Sequence, residues 1–88
     1  MEVRYSKKFL KQLAGIPKET RIKVEHFVFN ELSSVSTIGE VGKIEKMQGY
    51  ANCYKSRFGD YRVGFMLENN VLTVKTVMHR RDIYKFFP

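Results

Sequence analysis

Apolar and polar positions divide the chain into a first part with a helical period and a second with a period of two. Residues 2–5 read as a short strand, and Ser6 then stands where an N-cap belongs, ahead of Phe9, Leu10 and Leu13 at helical spacing. Gly15 and Pro17 end that helix. Pro17 also suits the first position of a second, longer helix, in which Ile22, Phe27, Val28 and Leu32 form an apolar stripe among Lys18, Glu19, Lys23 and Glu25. It should end near Ser33 or Ser34. From residue 43 the pattern alternates: residues 43–47 predict a strand with Ile44 inward, residues 48–50 a turn, and residues 51–58 a further strand. Gly59-Asp60 and Asn69-Asn70 are two-residue hairpin signals, so Tyr61–Glu68 and residues 71–78 are strands joined by tight turns. Residues 80–87 are either one short helix or an irregular tail.

Two-residue loops fix a register in which Phe58 pairs with Tyr61 and Glu68 with Val71. Tyr54, Ser56, Phe58, Tyr61, Val63, Phe65, Leu67, Leu72, Val74, Thr76 and Met78 then share one face, the expected core side. The other face collects Lys55, Arg57, Arg62, Gly64, Glu68, Thr73, Lys75, Val77 and His79, with Arg57 across from Arg62 and Lys75 beside Gly64. Like charges opposed across a sheet cost about 0.2 to 1 kcal/mol each. Two readings are open: an anion site on a rigid sheet, or a solvated polar face whose charges spread apart in water. Gly64 in mid-strand favours the first, because a strand glycine often marks close approach of a ligand backbone.

Composition narrows the classes. At 88 residues the chain is expected to be a single domain, 1–88, and 43% hydrophobic with 14% aromatic residues is enough for a packed core. Sixteen Lys and Arg against nine Asp and Glu leave a net charge of +7, which points to an anionic partner. Residues 1–42 carry seven basic and five acidic groups, residues 43–88 nine and four, so the partner is expected at the second half. A lone cysteine, Cys53, excludes an intramolecular disulfide, and with two histidines it offers no zinc spacing. No metal and no organic cofactor are expected. No apolar signal core opens the chain, and its longest apolar run, residues 63–67, is far below the roughly 20 residues of a membrane span, so a cytoplasmic protein without membrane contact is expected.

Three stretches then carry a family resemblance: Phe9-x-Lys11-x-Leu13 followed by Pro17; Tyr54-Lys55-x-Arg57-x-Gly59-Asp60-Tyr61-Arg62; and His79-Arg80-Arg81-Asp82-Ile83-Tyr84. In this order and spacing they resemble the RelE/ParE superfamily of bacterial and archaeal toxins, over essentially the whole chain. The resemblance implies an α+β fold: an N-terminal strand and a helical hairpin packed on a twisted, mainly antiparallel sheet of about four strands. RelE-type members are ribosome-dependent endoribonucleases that cut mRNA in the ribosomal A site, whereas ParE-type members poison DNA gyrase. The basic cluster and C-terminal tyrosine of RelE-like enzymes match Lys55, Arg57 (a lysine in the best-known members), Arg62, Arg81 and Tyr84, with Arg80 an alternative to Arg81. That cluster favours the ribonuclease branch. The alternatives are a gyrase inhibitor without nuclease activity and an inactive, antitoxin-bound corepressor. The implied partners are a cognate antitoxin, through which a complex would bind operator DNA, and the ribosome with its mRNA.

The residue types suit attack of a ribose 2′-OH on the adjacent phosphate, which builds negative charge that cations stabilise. Arg62 presents a planar fork of donors for the phosphate, Lys55 would act on the 2′-OH, Arg81 would stabilise the leaving oxygen, and Tyr84 would stack on a base or orient the nucleophile. Lys43, Lys46 and Lys75 are further RNA contacts. His79 is either a general acid or base, with Glu45 the only carboxylate expected near it, or a residue that caps the end of its strand. His26 and Cys53 read as structural, the latter as a buried, inert thiol. The terminal Phe86-Phe87-Pro88 either docks on its own core or joins an antitoxin interface.

Overall fold

The computed structural model describes all residues, 1–88. Strand β1 (Glu2–Tyr5) leads into helices α1 (Lys7–Gly15) and α2 (Lys18–Glu25). The helical path continues through a π turn at His26–Glu31 and a 3-10 turn at Leu32–Ser34, and a second 3-10 turn follows at Ile38–Glu40. Strands β2 (Glu45–Lys46), β3 (Cys53–Phe58), β4 (Tyr61–Glu68) and β5 (Val71–His79) come next, and helix α3 (Arg80–Phe86) closes the chain. The five strands form one sheet in the order β1-β5-β4-β3-β2, with β1 parallel to β5 and the other pairs antiparallel. The α+β class and the mainly antiparallel sheet are as expected. The fifth strand arises because both β1 and the two-residue β2 pair, and Met47 N–H donates to Cys53 C=O at 2.8 Å in the register of the β2–β3 pairs.

Helix α1 begins where Ser6 accepts from Phe9 N–H at 3.0 Å, and the same hydroxyl donates to Lys75 C=O at 2.7 Å. The cap therefore pins the helix to β5. Beyond the end of β1, α1 takes over that strand's place along β5: Gln12 Oε1 accepts from Val77 N–H at 3.0 Å and from the Thr76 hydroxyl at 2.6 Å. Pro17 is the residue before α2 rather than its first helical position, with extended ψ of 142°. The second helix is also not one α-helix. Val24, Val28 and Leu32, all fully buried, recur every four residues, a spacing that drifts by about 80° over two turns of an α-helix. Widening at His26–Glu31 keeps all three on the sheet side, with Phe27 beside them.

Both hairpins turn where expected, Gly59 with φ of 60° and Asn69 and Asn70 with φ of 50° and 63°. Phe58 pairs with Tyr61 and Glu68 with Val71, and the counted register holds as far as Phe65 opposite Val74. There it fails. Gly64 pairs with Thr76, not Lys75, so Lys75 is the extra residue of a β-bulge. Past it, Val77 joins the core opposite Val63, Met78 moves to the other face, and His79 meets the edge of the Tyr61 ring at 5.6 Å. The expected basic face therefore loses Val77 and His79, and Lys75 no longer lies beside Gly64.

The main core lies between the helices and one sheet face, with Phe9, Leu13, Val24, Phe27, Val28 and Leu32 against Phe58, Val63, Phe65, Leu72, Val74 and Val77. Full burial of such side chains is worth about 1.5 to 3 kcal/mol each. A second, smaller core occupies the opposite face. There α3 covers Met47, Cys53, Met66 and Met78 with Ile83 and Phe87. Residues 80–86 are thus helical because Ile83, fully buried, anchors them, and the terminus docks on the chain's own sheet through Phe87 while Phe86 stays 62% exposed. Gly64 lies under Phe87, so its missing side chain makes room for this protein's own ring. No helix is long and apolar enough to cross a membrane.

Candidate active site

Strand parity turns Ser56 and Phe58 into the structure, both buried, and leaves Lys55 half-buried and Arg57 exposed on the α3 side. Arg57 opposes Arg62 in the ladder, and Lys55 opposes Gly64. Lys55 and Arg57 are about 7 Å apart along the strand, from its rise per residue. The like-charged pair is accommodated by local partners. Arg57 Nε lies 3.7 Å from Glu45 Oε1, and Arg62 Nη1 donates to Gly59 C=O at 2.7 Å and to Tyr61 C=O at 2.9 Å. These bonds hold the Arg62 guanidinium at the β3–β4 turn while its Nε and Nη2 hydrogens have no protein partner.

Helix α3 brings the remaining groups across from the far end of β5. Arg80 N–H donates to Asp60 C=O at 2.7 Å, and the Arg80 guanidinium lies 3.7 Å from the Asp60 carboxylate. Arg80 and Arg62 are therefore both anchored on the Gly59-Asp60 turn. Arg81 is held elsewhere: His79 Nδ1 accepts from Arg81 N–H at 3.2 Å and from Arg81 Nε at 3.3 Å. His79 is thus the N-cap of α3, and it lines a cleft with Lys11, Gln12 and Asp82 rather than facing Lys55. Glu45, expected near His79, pairs with Arg57 instead, because the bulge turns His79 to the helix side. One turn after Arg80, Tyr84 is 60% exposed; Lys55 Nζ donates to its hydroxyl and sits 4.7 Å from its ring centroid.

The lysines expected to contact RNA separate. Lys46 shares a cleft of about 720 Å³ with Lys55, Gln48 and the half-exposed Tyr50. Lys43 lies over the Phe27 ring at 5.6 Å and shares a different cleft, of about 490 Å³, with Lys23, His26 and Arg57. Lys75 joins neither. Sequence reasoning missed Tyr50, Asp60 and Gln12, of which only Asp60 had a signal, as the acidic partner of a turn beside basic strand ends. Cys53 is 2% exposed, and burial first, then the charge of Glu68, pushes its thiol above the usual value of 9.0, in keeping with an inert group. No three His, Cys, Asp or Glu side chains are grouped to hold a metal ion.

Residues 3–84 match the family model described as ParE toxin of type II toxin-antitoxin system, parDE. The chain belongs to the RelE/ParE toxin superfamily. It is 30% identical, over the full length of both chains, to toxin RelE3 of Methanocaldococcus jannaschii. The RelB-RelE antitoxin-toxin complex from Methanococcus jannaschii contains a chain of 29% identity that superposes with a TM-score of 0.77, covering 97% of this chain and 99% of that one. An archaeal RelE-RelB complex from Pyrococcus horikoshii shares the fold at 24% identity, with a TM-score of 0.68 and coverage of 90% and 93%. This protein is a toxin of a type II toxin-antitoxin system. On the face it presents, a RelE/ParE toxin of this sequence has three cations on adjacent strands, a fourth at their turn, and a tyrosine in contact with the innermost lysine. Fixed donors of this kind suit a phosphate held between them, and exposed aromatic rings suit an unstacked base.

Proposed function

We propose that this toxin is a ribosome-dependent endonuclease that cuts mRNA and so inhibits translation. The observation that carries the reading is the contact of Lys55 with Tyr84 on the face that also presents Arg57 and Arg62. The 2′-oxygen attacks the neighbouring phosphorus as its proton passes to water, the bond from phosphorus to the 5′-oxygen breaks, and that oxygen takes a proton from water. The products are a 2′,3′-cyclic phosphate and a 5′-hydroxyl. Lys55 stabilises the 2′-oxygen as it loses its proton, with Tyr84 orienting the ammonium. Arg62, through its free Nε and Nη2 donors, and Arg57 stabilise the phosphate oxygens. Guanidinium groups are too weak as acids to supply the last proton, so Arg80 or Arg81 stabilises the leaving oxygen by charge and water carries the proton. Arg80 is the better placed, since it shares the Gly59-Asp60 turn with Arg62.

No metal held by the toxin enters this scheme. The +7 charge supports docking on an RNA surface through many screened contacts, and the ribosome supplies the positioning that an 88-residue chain lacks. By likeness to the RelB-RelE complexes, a cognate antitoxin is the protein partner, carrying any operator DNA binding of the pair. Addition of purified protein to translating ribosomes tests the reading, with mRNA cut there and free RNA left nearly intact. One observation favours a second reading: the matched family model is described by its ParE members, and a gyrase inhibitor would trap gyrase-DNA complexes in a supercoiling assay and leave mRNA whole.

A further inference from the structure

Lys55 and Gly64 are direct cross-strand partners, and α3 covers both. Tyr84 lies on Lys55; Phe87, three residues further along, lies on Gly64. The fit at Gly64 leaves no spare room. A Cβ there would stand 2.8 Å from Cδ2 and Cε2 of Phe87 and 3.0 Å from Cγ2 of Thr76. Phe87 is 6% exposed, its N–H donates to Ile83 C=O at 2.9 Å, and the two side chains close the second core over Cys53 and Met47. The neighbouring Tyr84 and Phe86 are 60% and 62% exposed, so the buried side chains that seat the C-terminal part of α3 are Ile83 and Phe87. We infer that the seating of Phe87 on Gly64 is a positioning device that holds Tyr84 against Lys55. Its effect on catalysis rests on the endonuclease reading above. Its effect on structure does not.

A glycine in mid-strand weakens a sheet, and any small β-former would strengthen this one if the space were open. Here the space is filled by a ring from the chain's own terminus, and that ring sits on the residue paired with Lys55. Phe87 touches neither substrate nor the reacting atoms. It acts through α3.

Cys53, under Ile83 and Phe87 and 2% exposed, reports whether α3 is seated. In Gly64→Ala, Cys53 is expected to react with a thiol reagent about tenfold faster than in the wild type or more, with the circular dichroism of a folded chain and shifted ring resonances of Tyr84. Adding Phe87→Val removes the nearer clash and returns the labelling rate to that of Phe87→Val alone. Should Gly64→Ala fail to fold, Phe87→Ala approaches the same device from the other side. That variant is expected to expose Cys53 and lower kcat with KM for translating ribosomes unchanged, and Phe87→Leu to restore both. Wild-type labelling and unshifted Tyr84 resonances in Gly64→Ala or in Phe87→Ala would overturn the inference, as would simple addition of the two effects in the double variant. Labelling and resonances are read without substrate, so a wild type that cuts no mRNA removes the endonuclease reading and leaves this outcome decided on its own.

Discussion

Lys55, on the third strand of the sheet, donates to the hydroxyl of Tyr84, on the last helix, with its ammonium 4.7 Å from the centre of that ring. A cation over an aromatic face is worth about 0.5 to 1 kcal/mol at an exposed site, too little to account for the fold and enough to set an orientation. Tyr84→Phe retains the ring and removes the hydroxyl, and Tyr84→Ala removes both. The first is expected to keep the Lys55 cation-π contact with a several-fold loss of mRNA cleavage, and the second to lose about 10². Cleavage rates on translating ribosomes at equal toxin occupancy measure the difference.

Arg62 is held by two carbonyls of its own hairpin, so its substitution should not disturb the core. Arg62→Ala is expected to lower kcat by about 10² to 10³, the usual effect of removing one preorganised donor, with the thermal midpoint nearly unchanged. Arg62→Lys keeps the charge without the fork and should recover only part of the rate. Cleavage at the full rate by Arg62→Ala would remove this residue from the mechanism.

His79 caps α3 through Nδ1. His79→Ala is expected to cost about 1 kcal/mol of stability, and His79→Asn, a good cap with no acid-base chemistry near neutrality, to restore both stability and cleavage. A variant His79→Asn that is stable and inactive would give the imidazole a chemical role that its place in the structure does not provide. Urea unfolding and cleavage rates on the same preparations decide it.

Gln12 satisfies two groups of β5 where no neighbouring strand does so. Gln12→Leu leaves the Val77 N–H and the Thr76 hydroxyl without that partner, and about 1 to 3 kcal/mol of stability should be lost, read as a lower urea midpoint at constant slope.

Stability should also fall in alkali. Tyr5, whose hydroxyl donates to Val28 C=O at 2.7 Å, is raised above 10.0 by burial, and the Cys53 thiol is raised above 9.0. Both groups are preferred neutral in the fold. The stability they contribute is complete below those ordinary values and is lost as pH rises through the higher values of the folded state. Urea midpoints between about pH 8 and pH 11 should decline, and less steeply in Tyr5→Phe.

Local chemistry made much of this protein readable in advance. Ser6, the Gly59-Asp60 and Asn69-Asn70 turns and the register from Phe65 to Val74 all follow from neighbouring residues, and the structure has them. The bulge at Lys75 has no such signal, since Val74-Lys75-Thr76-Val77 reads as good alternation, and from there every face assignment inverted. The π turn at His26–Glu31 is visible only once Val24, Val28 and Leu32 are known to share one partner. The site divides in the same way. Lys55, Arg57 and Arg62 followed from strand parity, whereas the pairing of Tyr84 with Lys55, the anchoring of Arg80 on Asp60 and the cover of Gly64 by Phe87 depend on how a seven-residue helix folds back over the sheet. Gly64 is the clearest case: its oddity was legible, and what fills the space was not.

The most direct test of the central claim is to map mRNA ends after purified wild-type toxin, Lys55→Ala and Arg62→Ala are each added to translating ribosomes and to the same mRNA free in solution. The wild type should produce cuts ending in 2′,3′-cyclic phosphate on ribosome-bound mRNA alone, with both variants reduced by about 10² or more. Equal cutting by the variants, or mRNA left intact by the wild type, would contradict the assignment of this face as a nuclease site.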